Sequence, residues 1–327
     1  MAPSGPRPRV GAAVDVGSNS IHLLVGMVGP GAVQPLVDES ELLGLGDVVD
    51  REGRIPDDAC EAMIRTLVRY AATSAANGAV AITFVATEPL RRATNAADVV
   101  ARVLAGTGRP LHILSHEAEA RLTLLGVTGG VPVAGPLMVV DIGGGSTETI
   151  AVGGSAADLA AEPVVGVLPT GSSRLTKALV QHDPPTWFEI NALRAESRRL
   201  VDLLEPQAES GVPPRCVMVG GTASNLVKLL PAPATGDPRT IDLAGLAACF
   251  DLLSRTPADA LVLRFLVNRR RAGQLTAGAA LAEALMMRHG LPRAEISSAS
   301  LREGAILTVA EAGDDRPGWL SRSTAAR

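Results

Sequence analysis

A chain of 327 residues has room for two domains that each bury a core. Hydrophobic residues make up 46% but aromatics only 2%, so those cores must be packed from Ala, Val, Leu and Ile. A formal net charge of −4 excludes a general nucleic-acid binder, whose affinity would rest on a broad basic face, and leaves any polyanion to a local basic patch.

Residues 9–14 and 21–28 read as two short strands around Asp15-Val16-Gly17-Ser18-Asn19-Ser20, and 32–37 as a third. The glycine-rich, acidic stretch 44–53 reads as a loop. Over 56–76, Met63, Ile64, Leu67, Val68 and Ala71 recur at helical spacing, with Pro56 near the start and Gly78 past the end. A strand at 80–86 leads through a polar connection, Thr87-Glu88-Pro89-Leu90-Arg91-Arg92-Ala93-Thr94-Asn95, to a helix that begins at the N-cap Asn95, ends at Ala105 and is closed by Gly106. Residues 111–114 form a short strand, and Ser115 offers an N-cap to a helix over 117–127. The glycine- and proline-rich stretch 128–136 marks the boundary between domains at 8–130 and 131–312.

The second half opens as the first does. Strands at 137–140 and 149–152 flank Asp141-Ile142-Gly143-Gly144-Gly145-Ser146-Thr147-Glu148, and a third strand follows at 161–168. Helices are predicted at 172–180, 185–204, 222–230, 243–254, 258–266, 272–289 and 301–311, with strands at 216–219 and 294–297 and a loop at 231–238. From 313 onward apolar content is low and disorder is expected. Cys60, Cys216 and Cys249 are far apart and odd in number, which suits reduced thiols. No signal-type segment and no run of about 18 apolar residues is found, so a soluble, cytoplasmic protein without membrane contact is expected.

The chemistry concentrates in the two Asp-x-Gly loops. Asp15, Gly17 and Ser20 fall on Asp141, Gly143 and Ser146 at one constant offset, which implies two halves built alike. Glycines let successive N–H groups converge on an anion, and an aspartate at a strand end carries the hard oxygens that Mg²⁺ prefers. One such loop alone also serves as a plain hairpin turn; two, one per domain, predict a clamp on a phosphate chain. Neither a Walker A loop nor the Rossmann Gly-x-Gly-x-x-Gly pattern is present. Arg269-Arg270-Arg271 offers a cationic rim, with Arg271 toward phosphate and at least one neighbour toward solvent. His22, His112 and His116 lack the company of a metal site and read as structural or surface groups.

Three-stranded meanders followed by alternating helices and strands, twice over, resemble the actin-like fold: α/β, with two actin-like (ribonuclease H-like) domains and an interdomain active-site cleft. More specifically, the loop Asp15 to Ser20, Ala86-Thr87-Glu88 with the segment Leu90 to Asn95, Ser115 with Glu119-Ala120-Arg121-Leu122, the loop Asp141 to Glu148, Gly220-Gly221-Thr222 and Leu301-Arg302-Glu303-Gly304 together resemble the exopolyphosphatase and guanosine pentaphosphate phosphatase family (Ppx/GppA). The resemblance implies Mg²⁺- or Mn²⁺-dependent hydrolysis of terminal phosphoanhydride bonds in polyphosphate or guanosine pentaphosphate. It also implies Glu119 as general base, with Asp141 and Glu148 acting on metal and water and Asp15 as the matching metal acid of the first loop. Gly17, Ser18, Asn19, Arg91, Gly144, Gly145, Ser146 and Arg271 would bind phosphate.

Three positions depart from the family pattern: His116 stands where the family has glycine, Ala118 where it has the first of two glutamates, and Gly273 where it has aspartate. Longer family members carry a further helical domain that this sequence lacks, so short polyphosphate chains are expected, and a homodimer is left open. A non-catalytic polyphosphate or alarmone sensor and an ATP-using kinase of the same fold stay as alternatives; a positioned Glu119 favours hydrolysis.

Overall fold

A computed structural model describes residues 9–153, 163–204, 214–232 and 239–312. The tail from 313 lies outside these residues, as do the start of the predicted strand at 161–168 and most of the loop at 231–238. Contacts divide the chain into two compact units, one running to Val131 and resuming at Ala299, the other Pro132–Ser298.

In the first unit β1 (Arg9–Val16), β2 (Ser20–Gly29) and β3 (Ala32–Leu42) form an antiparallel meander, followed by α1 (Leu45–Glu52), α2 (Asp57–Ala76), β4 (Ala81–Ala86), α3 (Glu88–Arg92), α4 (Ala96–Thr107), β5 (Leu111–Ile113) and α5 (His116–Thr128). The sheet order is β3-β2-β1-β4-β5, with β4 parallel to β1. Alternation along β1 sends Ala12, Val14 and Val16 to a core that includes α2 and α4, and Ala13 to a second core on the opposite face. Both faces are therefore buried, which is why β1 reads as a nearly continuous apolar run.

Two helices stand where the sequence predicts connections. Gly44 and Gly53 bracket α1 in left-handed conformations, so the glycines that suggest a loop are its caps, while Leu45 and Val49 anchor it to the core. The polar connection after β4 contains the short α3, with Pro89 in its first turn. Helix α4 runs past Gly106, and Gly108 closes it instead.

The second unit repeats the scheme with β6 (Leu137–Ile142), β7 (Thr147–Val152), β8 (Val164–Leu168), α6 (Ser172–Leu179), α7 (Trp187–Val201), β9 (Arg215–Val219), α8 (Gly220–Leu226), β10 (Thr240–Asp242), α9 (Leu243–Leu253), α10 (Ala258–Phe265), α11 (Arg269–Ala272), α12 (Leu275–Arg288) and β11 (Arg293–Ile296). Its sheet order, β10-β11-β9-β6-β7-β8, contains the order of the first unit with β10 added at the edge. The helix predicted over 272–289 is interrupted, with Gly273 and Gln274 separating α11 from α12. From Leu275 to Met286 α12 is buried all round, as an apolar helix at the centre of a domain must be. Its one acidic residue, Glu283, takes a two-pronged contact from Arg194 of α7 at 2.6 and 2.8 Å.

At the start of α7, Glu189 forms a capping box with Thr186 and also accepts from Gln181 N and His182 Nδ1. Burial alone would raise its carboxyl, but the hydrogen bonds from His182, Gln181 and Thr186 prevail and pull it down to about 2. A carboxyl depressed in the folded state stabilises above its unfolded value, and that contribution fades as pH falls toward 2. Glu189→Gln is therefore expected to lower the melting temperature at pH 7 by roughly 2–4 °C. The difference from wild type should shrink on acidification below pH 4.5; a difference independent of pH would remove the carboxylate from this account.

Helix α13 (Leu301–Ala312) returns to the first unit, whereas the expected division kept it in the second half. It packs along α5 at two mutually facing glycines: a Cβ on Gly304 would overlap the Leu122 carbonyl, and one on Gly126 the Ser300 carbonyl. Leu301, Ala305 and Ile306 join Leu114, Ala118 and Leu122 in the second core. Because the obstacle at Gly304 is backbone, Gly304→Ala is expected to cost about 3 kcal/mol in chemical denaturation. A loss below the usual error of such measurements would mean that the two helices separate freely.

Candidate active-site elements

Both loops are built by the same local rule. In the first, Gly17 N donates to Ser20 O at 3.1 Å; in the second, Gly143 N donates to Ser146 O at 3.0 Å. Each loop's carbonyls are then taken up at the start of a helix. Gly46 N and Gly44 N donate to Ser18 O and Asn19 O at 2.8 and 2.9 Å around the start of α1. Ser172 N and Ser173 N, opening α6, donate to Gly143 O and Gly144 O at 2.9 and 3.0 Å, and Arg174 Nη1 donates to Gly145 O at 2.8 Å. Tying back the acceptors leaves the N–H edge: the amides of Ser18, Asn19, Gly144 and Gly145 have no main-chain acceptor among the described residues. An edge of unused donors is what an anion needs. The side-chain amide Nδ2 of Asn19 is likewise buried with no acceptor among the described residues.

In the first unit Asp15 sits at the end of β1, directly across the hairpin from His22, whose Nε2 shares a 2.6 Å hydrogen bond with Ser20 Oγ. The Ser18 hydroxyl is spent on Glu88, donating to Oε2 at 2.8 Å, so only the Ser18 N–H remains for a ligand. Glu88 in turn accepts from Arg92 at 2.6 Å, and Arg92 also reaches Asp50 at 2.6 Å. Arg92 thus ties Glu88 to Asp50.

Arg91 and Glu119, far apart in sequence, meet. Arg91 Nη1 donates to Glu119 Oε2 at 2.6 Å and to Leu114 O at 2.9 Å, and Nη2 contacts His116 Nδ1 at 3.2 Å. The two side chains of the ion pair are 14% and 15% exposed, so this is a sheltered contact and not a mobile surface pair. Ser115 caps α5 as expected, its Oγ accepting from Ala118 N, and the cap fixes the helix turn that carries His116 and Glu119. Burial and the Arg91 charge hold the His116 imidazole below the ordinary histidine value, against the pull of Glu119, Glu117 and Glu88.

In the second unit Asp141 ends β6 and lies directly opposite Glu148 of β7, with Glu148 4% exposed. Burial pushes the Asp141 carboxyl up while the Arg271 guanidinium pulls it partly back. Arg271 reaches this spot over Gly220-Gly221. A Cβ at Gly220 would lie 2.5 Å from Asp141 Oδ1, and one at Gly221 would lie 2.6 Å from Arg271 Cζ. Thr222 completes the support, donating to Ile142 O at 2.6 Å and standing 3.4 Å from Arg271 Nη1. Arg269, by contrast, pairs with Asp259 on the surface and Arg270 is exposed, so of the triplet it is Arg271 that faces Asp141. Asp141 and Glu148, at opposed positions of the hairpin, carry oxygens of the hard type that suits Mg²⁺ or Mn²⁺.

The profile of the Ppx/GppA phosphatase family matches residues 24–312. The chain belongs to that family. Exopolyphosphatase 1 of Mycobacterium tuberculosis is 33% identical over 322 residues, covering 95% of this chain and 91% of the relative. Exopolyphosphatase 2 of the same species is 30% identical, covering 91% of this chain and 98% of the relative. Among solved structures, the Aquifex aeolicus member of the Ppx/GppA family has a TM-score of 0.75 at 26% identity, covering 92% of this chain and 97% of that one. The fold is accordingly actin-like, with two units of one topology. Among the described residues no helix is long and apolar enough to cross a membrane.

Several supporting residues carry no role in the sequence reading: Glu88 beneath Ser18, Ser172 and Ser173 beneath the second loop, and Gly220, Gly221 and Thr222 beneath Asp141 and Arg271. The last three are legible as a motif, but their function, to let a carboxylate and a guanidinium lie on bare backbone, is a property of the packing.

Proposed function

We propose that this member of the Ppx/GppA family hydrolyses terminal phosphoanhydride bonds of inorganic polyphosphate or guanosine pentaphosphate, with Mg²⁺ or Mn²⁺ as cofactor. The observation that carries the proposal is the pair of matched loops with their carbonyls tied back and their N–H edges unused, one of them bearing the opposed carboxylates Asp141 and Glu148. The names of the mycobacterial relatives favour polyphosphate.

Phosphoanhydride hydrolysis asks the protein to orient a water, neutralise phosphoryl oxygens and hold the leaving chain. Glu119 is assigned to the water: it accepts a proton as the oxygen attacks the terminal phosphorus, and the bridging P–O bond breaks to leave a chain one phosphate shorter. Arg91 holds Glu119 Oε2 and so aims the carboxylate. The N–H groups of Ser18, Asn19, Gly144, Gly145 and Ser146, with Asn19 Nδ2 and Arg271, are assigned to phosphate oxygens; Gly17, expected among them, spends its N–H on Ser20 O and holds the turn instead. Asp141 and Glu148, with Asp15 in the first loop, would hold the metal, which when bound supplies positive charge to the phosphoryl oxygens. Deeply buried thiols, with Cys216 and Cys249 pushed up to about 12, suit a reduced cytoplasmic protein.

The test is phosphate release from polyphosphate before and after chelation. Activity lost with the chelator and restored by Mg²⁺ or Mn²⁺ supports the assignment; full activity in excess chelator contradicts it.

A further inference from the structure

We infer that His116 is a positioning residue for the base: through Nδ1 it fixes the Arg91 guanidinium that grips Glu119. The inference rests on Glu119 acting as the base.

A guanidinium has donors and no acceptor, so the 3.2 Å contact from Arg91 Nη2 requires an unprotonated Nδ1, with the ring proton on Nε2. The other arm of the fork, Nη1, is spent on Glu119 Oε2 and Leu114 O. These three contacts fall on one short stretch, just after β5 and in the first turn of α5, so the fork is clamped onto the segment that carries the base. His116 and Glu119 are three apart on α5 and lie on one face, which lets a single guanidinium span them. Removing the imidazole takes away the acceptor that Nη2 contacts and with it one of the points that orient the guanidinium.

The experiment compares kcat and KM for wild type, His116→Gly, His116→Asn and Glu119→Gln, with melting temperatures recorded for each. In His116→Asn the amide oxygen replaces Nδ1 as acceptor. His116→Gly is expected to lose about tenfold in kcat with KM nearly unchanged, and His116→Asn to recover most of that loss. Wild-type kcat in His116→Gly would overturn the inference, as would His116→Asn being as impaired as His116→Gly. Nitrogen-15 NMR of the wild-type ring gives a readout independent of turnover and of how the variants fold: the Nε2–H tautomer is expected, and the Nδ1–H tautomer overturns the clamp. If Glu119→Gln keeps full turnover, the base assignment itself fails; if Glu119→Gln is inactive and the His116 variants are silent, only the clamp fails.

Discussion

Glu119→Gln is expected to lower kcat by about 10²–10⁴ while substrate affinity changes little, because the amide keeps the shape of the carboxylate but takes up no proton. The structure gives this substitution a clean reading. Glutamine can still accept from Arg91 Nη1 through its carbonyl oxygen, so the 2.6 Å contact has a neutral replacement and the start of α5 stays capped by Ser115. Loss of rate with retention of fold and binding isolates the basicity of the group. The two units make different contributions, and a variant of Glu119 tests only the first. Nearly full turnover in Glu119→Gln would mean that the water is activated elsewhere and that the Arg91 pair is structural.

The second large effect is expected at Asp141. Asp141→Asn keeps the side-chain volume at the end of β6 but removes one of two opposed carboxylates and leaves the Arg271 guanidinium without its attracting charge. Phosphate release should fall by about 10²–10³, the scale on which single electrostatic groups act in such sites. The metal concentration for half-maximal activity should rise as well. That second readout separates the metal assignment from a general loss of structure, which would lower the rate at every metal concentration alike. An Asp141→Asn protein with wild-type rate and metal response would remove this carboxylate from the site.

How much of this was legible in the sequence depends on whether the signal is local. The two Asp-x-Gly loops and their common offset are local patterns, and the structure gives them the same turn: Gly17 to Ser20, and Gly143 to Ser146. Helices with long apolar periodicity, such as α2, are equally legible, because their spacing is a property of the segment itself. Helix α1 is hidden because left-handed glycine caps and loop glycines look alike in a sequence. The return of α13 to the first unit is hidden for another reason. A helix pattern says that one face is buried but not against what, and only Gly126 and Gly304, whose missing Cβ atoms admit the close approach, record the partner. At the site, the residue types are legible but their commitments are not. The Ser18 hydroxyl is spent on Glu88 and Arg91 on Glu119, both through contacts between residues distant in the chain. His116, read as a structural group, turns out to touch the arginine that holds the base.

The central claim is that the chain hydrolyses a phosphoanhydride at the end of a phosphate chain. It is tested most directly by phosphate release from the purified protein with Mg²⁺, offered short polyphosphate, long polyphosphate, guanosine pentaphosphate and ATP in parallel. The account predicts release to water from polyphosphate or guanosine pentaphosphate. Binding of these substrates without release, or release only from ATP with transfer to an acceptor, would contradict it.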